Sequence, residues 1–567
     1  MKKTILFIKT LLFLGVIILT SCKGDITELD LTENPNFYNE ADADFLLNKV
    51  QIDFAKMFEK FQKTAGETTR LYHMNGRDYS NAYSPSGFDE RWQNAYAEIL
   101  TDIKEMKKTT SEKGLIHHEA ISQIIEAYTL TTLVDFFGDI PYTETLQGAD
   151  NFNPMIDDGA SVYQAAFNLL DDAINKFESD VSAEPKNDFY YNKDWAKWIK
   201  LANTLKMQMY VNTRLVDSNA INEFNAIVTD GNYITDYADD FQFQWGSNVS
   251  QPDTRHPRYT DNYTSTGGEE YMSNSLMDYM TGLDDGAYSS PNHFDPRTLF
   301  YFYRQVSATP GFGGEPVSEE VLECGILPDP PHYAGYTYCG IPKGWWGRDH
   351  GNDNGIPPDN FLRTLAGVYP TGGKLDDLSY TAQSNTTLEN GGNGITPLML
   401  ASWAKFMIAE VNMANNNPGD AKTALLEGMD LSWNKVNNFA PKTDRFNIIF
   451  DGVDNLPTIQ SYYDDFKNEI ETDWDTGDMN SKWNILSNQY FVASYGNGMN
   501  TYNYYRRTGF PTNLQPNLDP NPGSFIRSFY YPANFVNNNA NATQKSGVNV
   551  KVFWDNNPES PAFPQSN

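Results

Sequence analysis

Cationic side chains are scarce. Lys and Arg number 42 against 74 Asp and Glu in 567 residues, a formal net charge of −32. A surface that acidic repels phosphate backbones and argues against a nucleic-acid partner. It disfavours polyanionic substrates more weakly, because a local basic patch overrides a net field. Cysteine is scarcer still, with three residues in the chain. Catalytic signatures are missing: there is no GxSxG elbow, no P-loop and no GxGxxG after a strand, and His117-His118-Glu119 is not HExxH. The carboxylate pair a glycosidase uses cannot be picked out of 74 acids, because the fold sets its spacing. No enzyme is expected. What the chain has in excess is aromatic surface, 14% of residues with 34 Tyr and 11 Trp. With 40% hydrophobic and 20% charged residues, a large core is available and global disorder is excluded.

The N-terminus reads as an address. Met1-Lys2-Lys3 precedes an apolar run, Leu11–Leu19, shorter than the roughly 20 residues a membrane span needs. The following Leu19-Thr20-Ser21-Cys22 resembles a bacterial lipobox. Residues 1–21 are then an export signal, Cys22 is the lipidated first residue of the mature chain, and 22–35 form a polar tether. An ordinary secretory signal with a chance cysteine is the alternative. Cys324 and Cys339 remain, and in an exported chain two leftover cysteines pair. A zinc site lacks ligand spacing, although His332 and His350 lie nearby.

Helical periodicity runs through residues 36–218, for example Ile121, Ile124, Ile125 and Tyr128, or Tyr163, Phe167, Leu170, Ile174 and Phe177. Gly and Pro punctuate these stripes, which implies antiparallel helix pairs stacked in the manner of tetratricopeptide units. Residues 219–394 are rich in Gly, Asn, Asp, Pro and Tyr and lack long stripes, the composition of an irregular functional surface. Helical pairs resume over 395–510, with Leu398 to Val411 assigned to one helix. The stretch 511–567, rich in Asn and Pro, reads as a surface tail.

Several strings together resemble the SusD/RagB family of nutrient-binding outer-membrane lipoproteins, in its SusD-like branch from Bacteroidetes. They are Asp135-Phe136-Phe137-Gly138-Asp139-Ile140-Pro141-Tyr142, Asp157-Asp158-Gly159, Trp198 with Ala202–Lys206, Asp295-Pro296-Arg297, Gly347–Gly351 and Tyr505–Pro511. The resemblance implies a mainly α, SusD-like scaffold with a long irregular ligand-binding insertion. It also implies a cell-surface, lipid-anchored place on the outer membrane, a glycan as ligand and a SusC-like TonB-dependent transporter as partner. Peptide cargo within the same family, or a surface glycoside hydrolase, are the competing functions. No binding residue carries over from the family.

Sugars stack their C–H faces on aromatic rings and exchange hydrogen bonds with amides, carboxylates and Arg. Tyr333, Tyr336, Tyr338, Trp345 and Trp346 fall in one Gly-rich segment and are candidate ligand-binding rings. The competing reading makes Trp345 and Trp346 a local core beneath the loop. Arg77, Asp78, Tyr79, Asn81 and Tyr83 form a second candidate loop, or a solvated connection held by an internal ion pair. The overall acidity favours a neutral glycan. No cofactor is expected, although Asp349–Asp353 offers oxygen ligands for a structural Ca²⁺; a turn held by Asx hydrogen bonds carries more weight there. Arg506 and Arg507 read as structural partners of scaffold carboxylates.

Overall fold

The computed structural model describes residues 42–557 except 182, 284–292, 312–321, 323, 325–326, 356, 358, 360, 382–390 and 440–457. The export signal, Cys22 and the tether therefore lie outside the described residues.

Apolar residues at helical spacing make Ala43–Thr68 a long helix, α1, with Leu47, Val50, Phe54, Phe58 and Phe61 fully buried. Numbering the longer helices onward gives α2 (Thr101–Lys113), α3 (Ile116–Phe137), α4 (Gly159–Phe177), α5 (Trp195–Thr213), α6 (Ala220–Asp230) and α7 (Asn274–Thr281). The second half adds α8 (Ala401–Ala414), α9 (Pro418–Phe439), α10 (Ile459–Thr476), α11 (Met479–Ala493) and α12 (Gly498–Thr508). Neighbours in sequence pack as neighbours in space: α3 on α4, α4 on α5, α5 on α6, α8 on α9 and α10 on α11. This is the stacked-pair scaffold expected from periodicity. Helix α3 is buried on nearly every side, and α1 and α12 close over the pairs.

The crossing of α1 and α12 requires two glycines. A Cβ on Gly498 would sit 2.2 Å from the Gln62 carbonyl oxygen and 2.4 Å from the Gly66 Cα, so any side chain there would drive the helices apart. This contact fixes where α1 ends and where the loop after it begins.

The family-like strings have structural reasons. Asp135 accepts hydrogen bonds from the Tyr163 hydroxyl, from Asn503 Nδ2 at 2.6 Å and from Trp554 Nε1 at 2.9 Å. Arg506 donates to the Asp135 carbonyl at 2.7 Å, while Arg507 forks onto the buried Glu410 at 2.7 and 2.8 Å. Asp158 caps α4 through the Ala160 amide at 2.8 Å, and Asp157 receives the Tyr142 and Thr143 amides. Trp554 is fully buried against this hub, so the stretch after Pro511 enters the core instead of lying over the surface as its composition suggested.

Two small antiparallel pairs serve the irregular region: β1 (Phe241–Gln244) with β4 (Ile395–Met399), and β2 (Phe302–Arg304) with β3 (Thr364–Ala366). Strand β4 corrects the helix assigned from Leu398. Residues 395–399 pair with β1, the Leu398 carbonyl accepts from Tyr128 Oη at 2.6 Å, and the helix starts at Ala401. His117 and His118, at the start of α3, are buried at 4% and 2% exposure; His117 packs on Phe177 and Trp195, and His118 meets Asp44. Cys324 and Cys339 form the expected disulfide.

Candidate functional site

The chain leaves α1 through Thr69 and enters a loop that the irregular region clasps from the other side. Arg70 adopts a left-handed backbone conformation and is buried, donating from Nε to the Gln515 carbonyl, from Nη1 to that of Thr68, both at 2.8 Å, and from Nη2 to Tyr79 Oη at 3.1 Å. Tyr79 Oη in turn meets His350 Nε2 at 3.1 Å. Above this line the Gly351 amide donates to the Met74 carbonyl at 3.0 Å, His73 Nε2 meets the Asn352 carbonyl at 2.9 Å, and Arg77 Nε donates to Asp353 Oδ1 at 2.6 Å. The two candidate regions of the sequence thus touch, through residues 73–79 and 350–353.

Beside this seam opens a hollow of about 310 Å³. Lys63 and Glu67 enter it from the last turns of α1, Asn75 and Tyr83 from the loop, Glu269, Glu270 and Tyr271 from the irregular region, and Asn352 and Asn354 from its far wall. Tyr83 is half-buried and donates to Glu67 Oε2 at 2.7 Å. Lys63 Nζ lies 2.5 Å from Glu270 Oε1, and Arg258 Nε lies 2.9 Å from Glu270 Oε2. Tyr271 sits between two guanidinium groups, Arg348 at 3.9 Å and Arg363 at 3.8 Å from its ring centre. Asn75 and Glu269 are exposed, and neither side chain has a hydrogen-bond partner among the described residues.

Burial lifts the Glu67 carboxyl above the ordinary range, against the pull of Lys63 and the Tyr83 hydroxyl. Burial works the same way on Glu270, but Lys63 and Arg258 together override it and hold that carboxylate well below its usual value. Burial pushes His73 down to about 4, so it faces the hollow as a neutral ring. The hollow therefore presents tyrosine faces, free amide and carboxylate groups, and one ammonium already paired. That is a surface for hydroxyl-rich, largely uncharged ligands.

The candidate residues divide. Tyr83 lines the hollow, and Arg77 stands at the seam beside it. Asp78 and Asn81 are exposed, and Asp78 turns inward on the Ser80 amide and hydroxyl at 2.7 Å, so the loop's ion pair runs from Arg77 to Asp353 and not to Asp78. Tyr79 is 1% exposed and belongs to the partition. Trp345 and Trp346, expected as binding platforms, are 1% and 0% exposed. Arg304 covers the Trp345 ring at 4.2 Å, and Trp346 packs with Tyr271, Val306, Leu322 and Cys339, so both are the core beneath the loop. Tyr333 is buried with its hydroxyl on the Pro516 carbonyl at 3.0 Å, and Tyr338 packs half-buried against it and the Trp346 cluster. Tyr336 is half-buried and lines a different, smaller hollow. At the Asp349–Asp353 stretch, Asp349 is saturated by Asn274, Gln515 and the Cys339 amide, and Asn352 Oδ1 accepts the Asn354 amide in an Asx turn. Among the described residues no group of three His, Cys, Asp or Glu is placed to hold a metal.

The residues missed from sequence are Lys63, Glu67, Asn75, Glu269, Glu270 and Tyr271. Lys63 and Glu67 are spaced i, i+4 on a helix and look like an ordinary solvated pair. Gly267-Gly268 before Glu269 was the only signal that the backbone turns sharply there.

The sequence matches two family models, one described as starch-binding associating with the outer membrane over residues 35–307, and one described as the SusD and RagB outer-membrane lipoprotein over residues 362–554. The chain belongs to the SusD/RagB family. The stretch 308–361, with the disulfide and the Tyr333–Trp346 segment, falls between the two matches. Among solved structures, a SusD/RagB family protein from Bacteroides thetaiotaomicron is 17% identical with a TM-score of 0.64, over 92% of this chain and 100% of that one. A chitin-binding SusD homologue from Flavobacterium johnsoniae is 16% identical with a TM-score of 0.61, over 91% and 99%. A SusD-like protein, also from B. thetaiotaomicron, is 20% identical with a TM-score of 0.58, over 91% and 99%. At these identities the likeness establishes the SusD fold. No curated protein matches the chain. Among the described residues no helix is long and apolar enough to cross a membrane.

Proposed function

We propose that this SusD-family protein is a surface lipoprotein that captures a neutral glycan at the hollow beside Tyr83 and passes it to a SusC-like TonB-dependent transporter. The observation carrying this is the open hollow itself, where the Tyr83 ring stands beside the unpartnered Asn75 amide and Glu269 carboxylate. A sugar ring laid on Tyr83 would meet hydrogen-bonding groups at once, without displacing protein contacts. Two of the similar solved structures are described as chitin-binding, which supports a glycan as the ligand class. Anchorage follows from Cys22, whose acyl chains would hold the chain at the membrane without spanning it.

One observation favours a second reading. Glu67 and Glu270 share the hollow, and their environments push their proton affinities apart, as a general acid and its partner base would require. Against it, both oxygens of Glu270 are occupied by Lys63 and Arg258. A base or nucleophile needs one oxygen free, so capture without bond cleavage is preferred.

Affinity electrophoresis of the chain after Cys22 against neutral and acidic polysaccharides separates these readings. Retardation by a neutral polymer without reducing-end release supports capture. Release that disappears in Glu67→Gln makes the protein a hydrolase. Silence across the panel with binding of peptides leaves the family in place and overturns the ligand class. Co-purification of the lipidated chain with an outer-membrane barrel, lost in Cys22→Ser, tests the hand-off.

A further inference from the structure

A second hollow lies between the end of α1, helix α7, the Gly335–Thr337 turn and the Asn513–Gln515 stretch. Arg70 stands on its wall, and it stands there at a double cost. The Leu71 amide donates to the Gly66 carbonyl at 3.0 Å, which makes Arg70 the left-handed residue that ends α1, with φ at 66°. Glycine takes that backbone conformation without strain, and arginine does not. The residue is also only 2% exposed, and no carboxylate of the described residues pairs with its guanidinium. Buried charges are ordinarily matched by an opposite charge.

Every partner Arg70 does have is neutral. Three of its five N–H groups go to the Gln515 carbonyl, the Thr68 carbonyl and the Tyr79 hydroxyl, which leaves one N–H on each Nη. The titratable groups within its field are Tyr79, Tyr333, Tyr336, Tyr505 and His350. Burial lifts the phenols and lowers the imidazole, so all five are uncharged at neutral pH. Asp278 borders the same hollow from α7 but forms no ion pair with Arg70. Two more donors stand on the half-buried rim without a partner among the described residues: the Ser275 hydroxyl, and Asn513 Nδ2, whose Oδ1 accepts from Asn488 at 3.4 Å. The ordinary account makes Arg70 a cap, its charge answering the Thr68 carbonyl at the negative end of α1. A cap uses one N–H and explains neither the two left over nor the donors across the hollow.

We propose that this hollow is an oxyanion site, in which the two remaining Arg70 N–H groups, with Ser275 and Asn513 at the rim, hold a carboxylate or sulfate group. The group arrives either as a free ion or as a substituent on a sugar, and the same charge-assisted hydrogen bonds bind it in both cases. The site does not depend on capture at Tyr83.

The test is the melting midpoint of the whole chain after Cys22 in millimolar sodium sulfate, sodium D-glucuronate or D-glucose, each against sodium chloride at matched ionic strength. An anion that binds the folded chain raises the midpoint by mass action, here by about 2 °C or more, and D-glucose leaves it unmoved. A response to both anions, or to either alone, supports the site. Sulfate alone marks a free tetrahedral ion as the source, and D-glucuronate alone marks an acid carried on a sugar. Arg70→Met removes the α1 cap together with the charge, so Asn513→Asp is the deciding variant. It keeps the acceptor for Asn488 and supplies the missing counter-charge from the rim. It should melt higher than the parent without anion and need about tenfold or more anion for the same shift. No shift beyond chloride, an equal shift with D-glucose, or an undiminished anion response in Asn513→Asp overturns the proposal. If the anions do nothing while a neutral polymer still retards the chain, this site fails and the capture reading stands.

Discussion

Arg77 Nε donates to Asp353 Oδ1 at 2.6 Å, across 276 residues of sequence, and so joins the loop after α1 to the irregular region. Both side chains remain nearly half exposed, at 47% and 45%. An ion pair this wet contributes at most about 1 kcal/mol, and the buried Tyr79–His350 and Gly351–Met74 contacts hold the same seam without it. Arg77→Ala is therefore expected to leave the thermal midpoint within error, and to weaken glycan binding by less than about tenfold. A large loss of stability would mean that the seam depends on its surface.

The Asp135 hub should behave in the opposite way. Asp135→Ala strips buried partners from Tyr163, Asn503 and Trp554 at once. The expected cost is about 3–5 kcal/mol, read as a shifted denaturation midpoint with ligand affinity unchanged in whatever fraction stays folded. Glu410→Ala, which leaves Arg507 and Arg214 without their shared carboxylate, should fall in the same range.

Acid should act through the seam histidines. Burial lowers His73 from 6.5 to about 4 and depresses His350 as well, so the folded state binds fewer protons than the unfolded chain between these limits. Stability from these groups is fully present above about pH 6.5 and is lost as pH falls toward 4. Buried carboxyls such as Glu67 and Asp135 have raised affinities and the opposite sign, so the informative quantity is a difference between variants. His73→Gln should lose less stability than the parent chain between pH 7 and pH 4.5, by up to about 3 kcal/mol. An identical pH slope in both would contradict the assignment.

Reduction of Cys324–Cys339 should cost about 3 kcal/mol on the chain-entropy argument. The bond borders the Trp346 cluster, so reduction or a Cys324→Ser, Cys339→Ser pair should raise amide exchange in residues 333–346. The hollow beside Tyr83 shares Tyr271 with this cluster, so its affinity is expected to fall, but by less than about tenfold.

Much of the scaffold was legible because periodicity reports one-sided burial directly: the stripe from Ile121 to Tyr128 and that from Tyr163 to Phe177 both became packed helices. The exceptions share a cause. Pro397–Met399 runs apolar into the helix that follows, and only the pairing of Met399 with Phe241 and of Pro397 with Gln242 makes it a strand. Trp554 sits in a polar stretch, and its burial depends on Asp135, more than 400 positions away. The site was legible only in its neighbourhood. Aromatic density marked the Tyr333–Trp346 segment correctly as unusual, but ring count does not say which rings face water, and Arg304 and Tyr271 cover the two tryptophans. Tyr83, a less conspicuous candidate, is the one that lines the larger hollow. Lys63 and Glu67 looked like an exposed helical pair because the loop that encloses them is distant in sequence from Glu270.

The central claim is that glycan capture occurs on Tyr83 and not on the tryptophans. It is tested by titrating the retarding polymer, by calorimetry, into the parent chain, Tyr83→Ala and Trp346→Phe. The account predicts that Tyr83→Ala loses about tenfold or more in affinity while staying folded at the titration temperature, with a lowered melting midpoint because the ring also packs on Phe88 and Phe529 and holds Glu67, whereas Trp346→Phe binds as the parent does and melts lower. Parental affinity in Tyr83→Ala would place capture elsewhere and contradict the account.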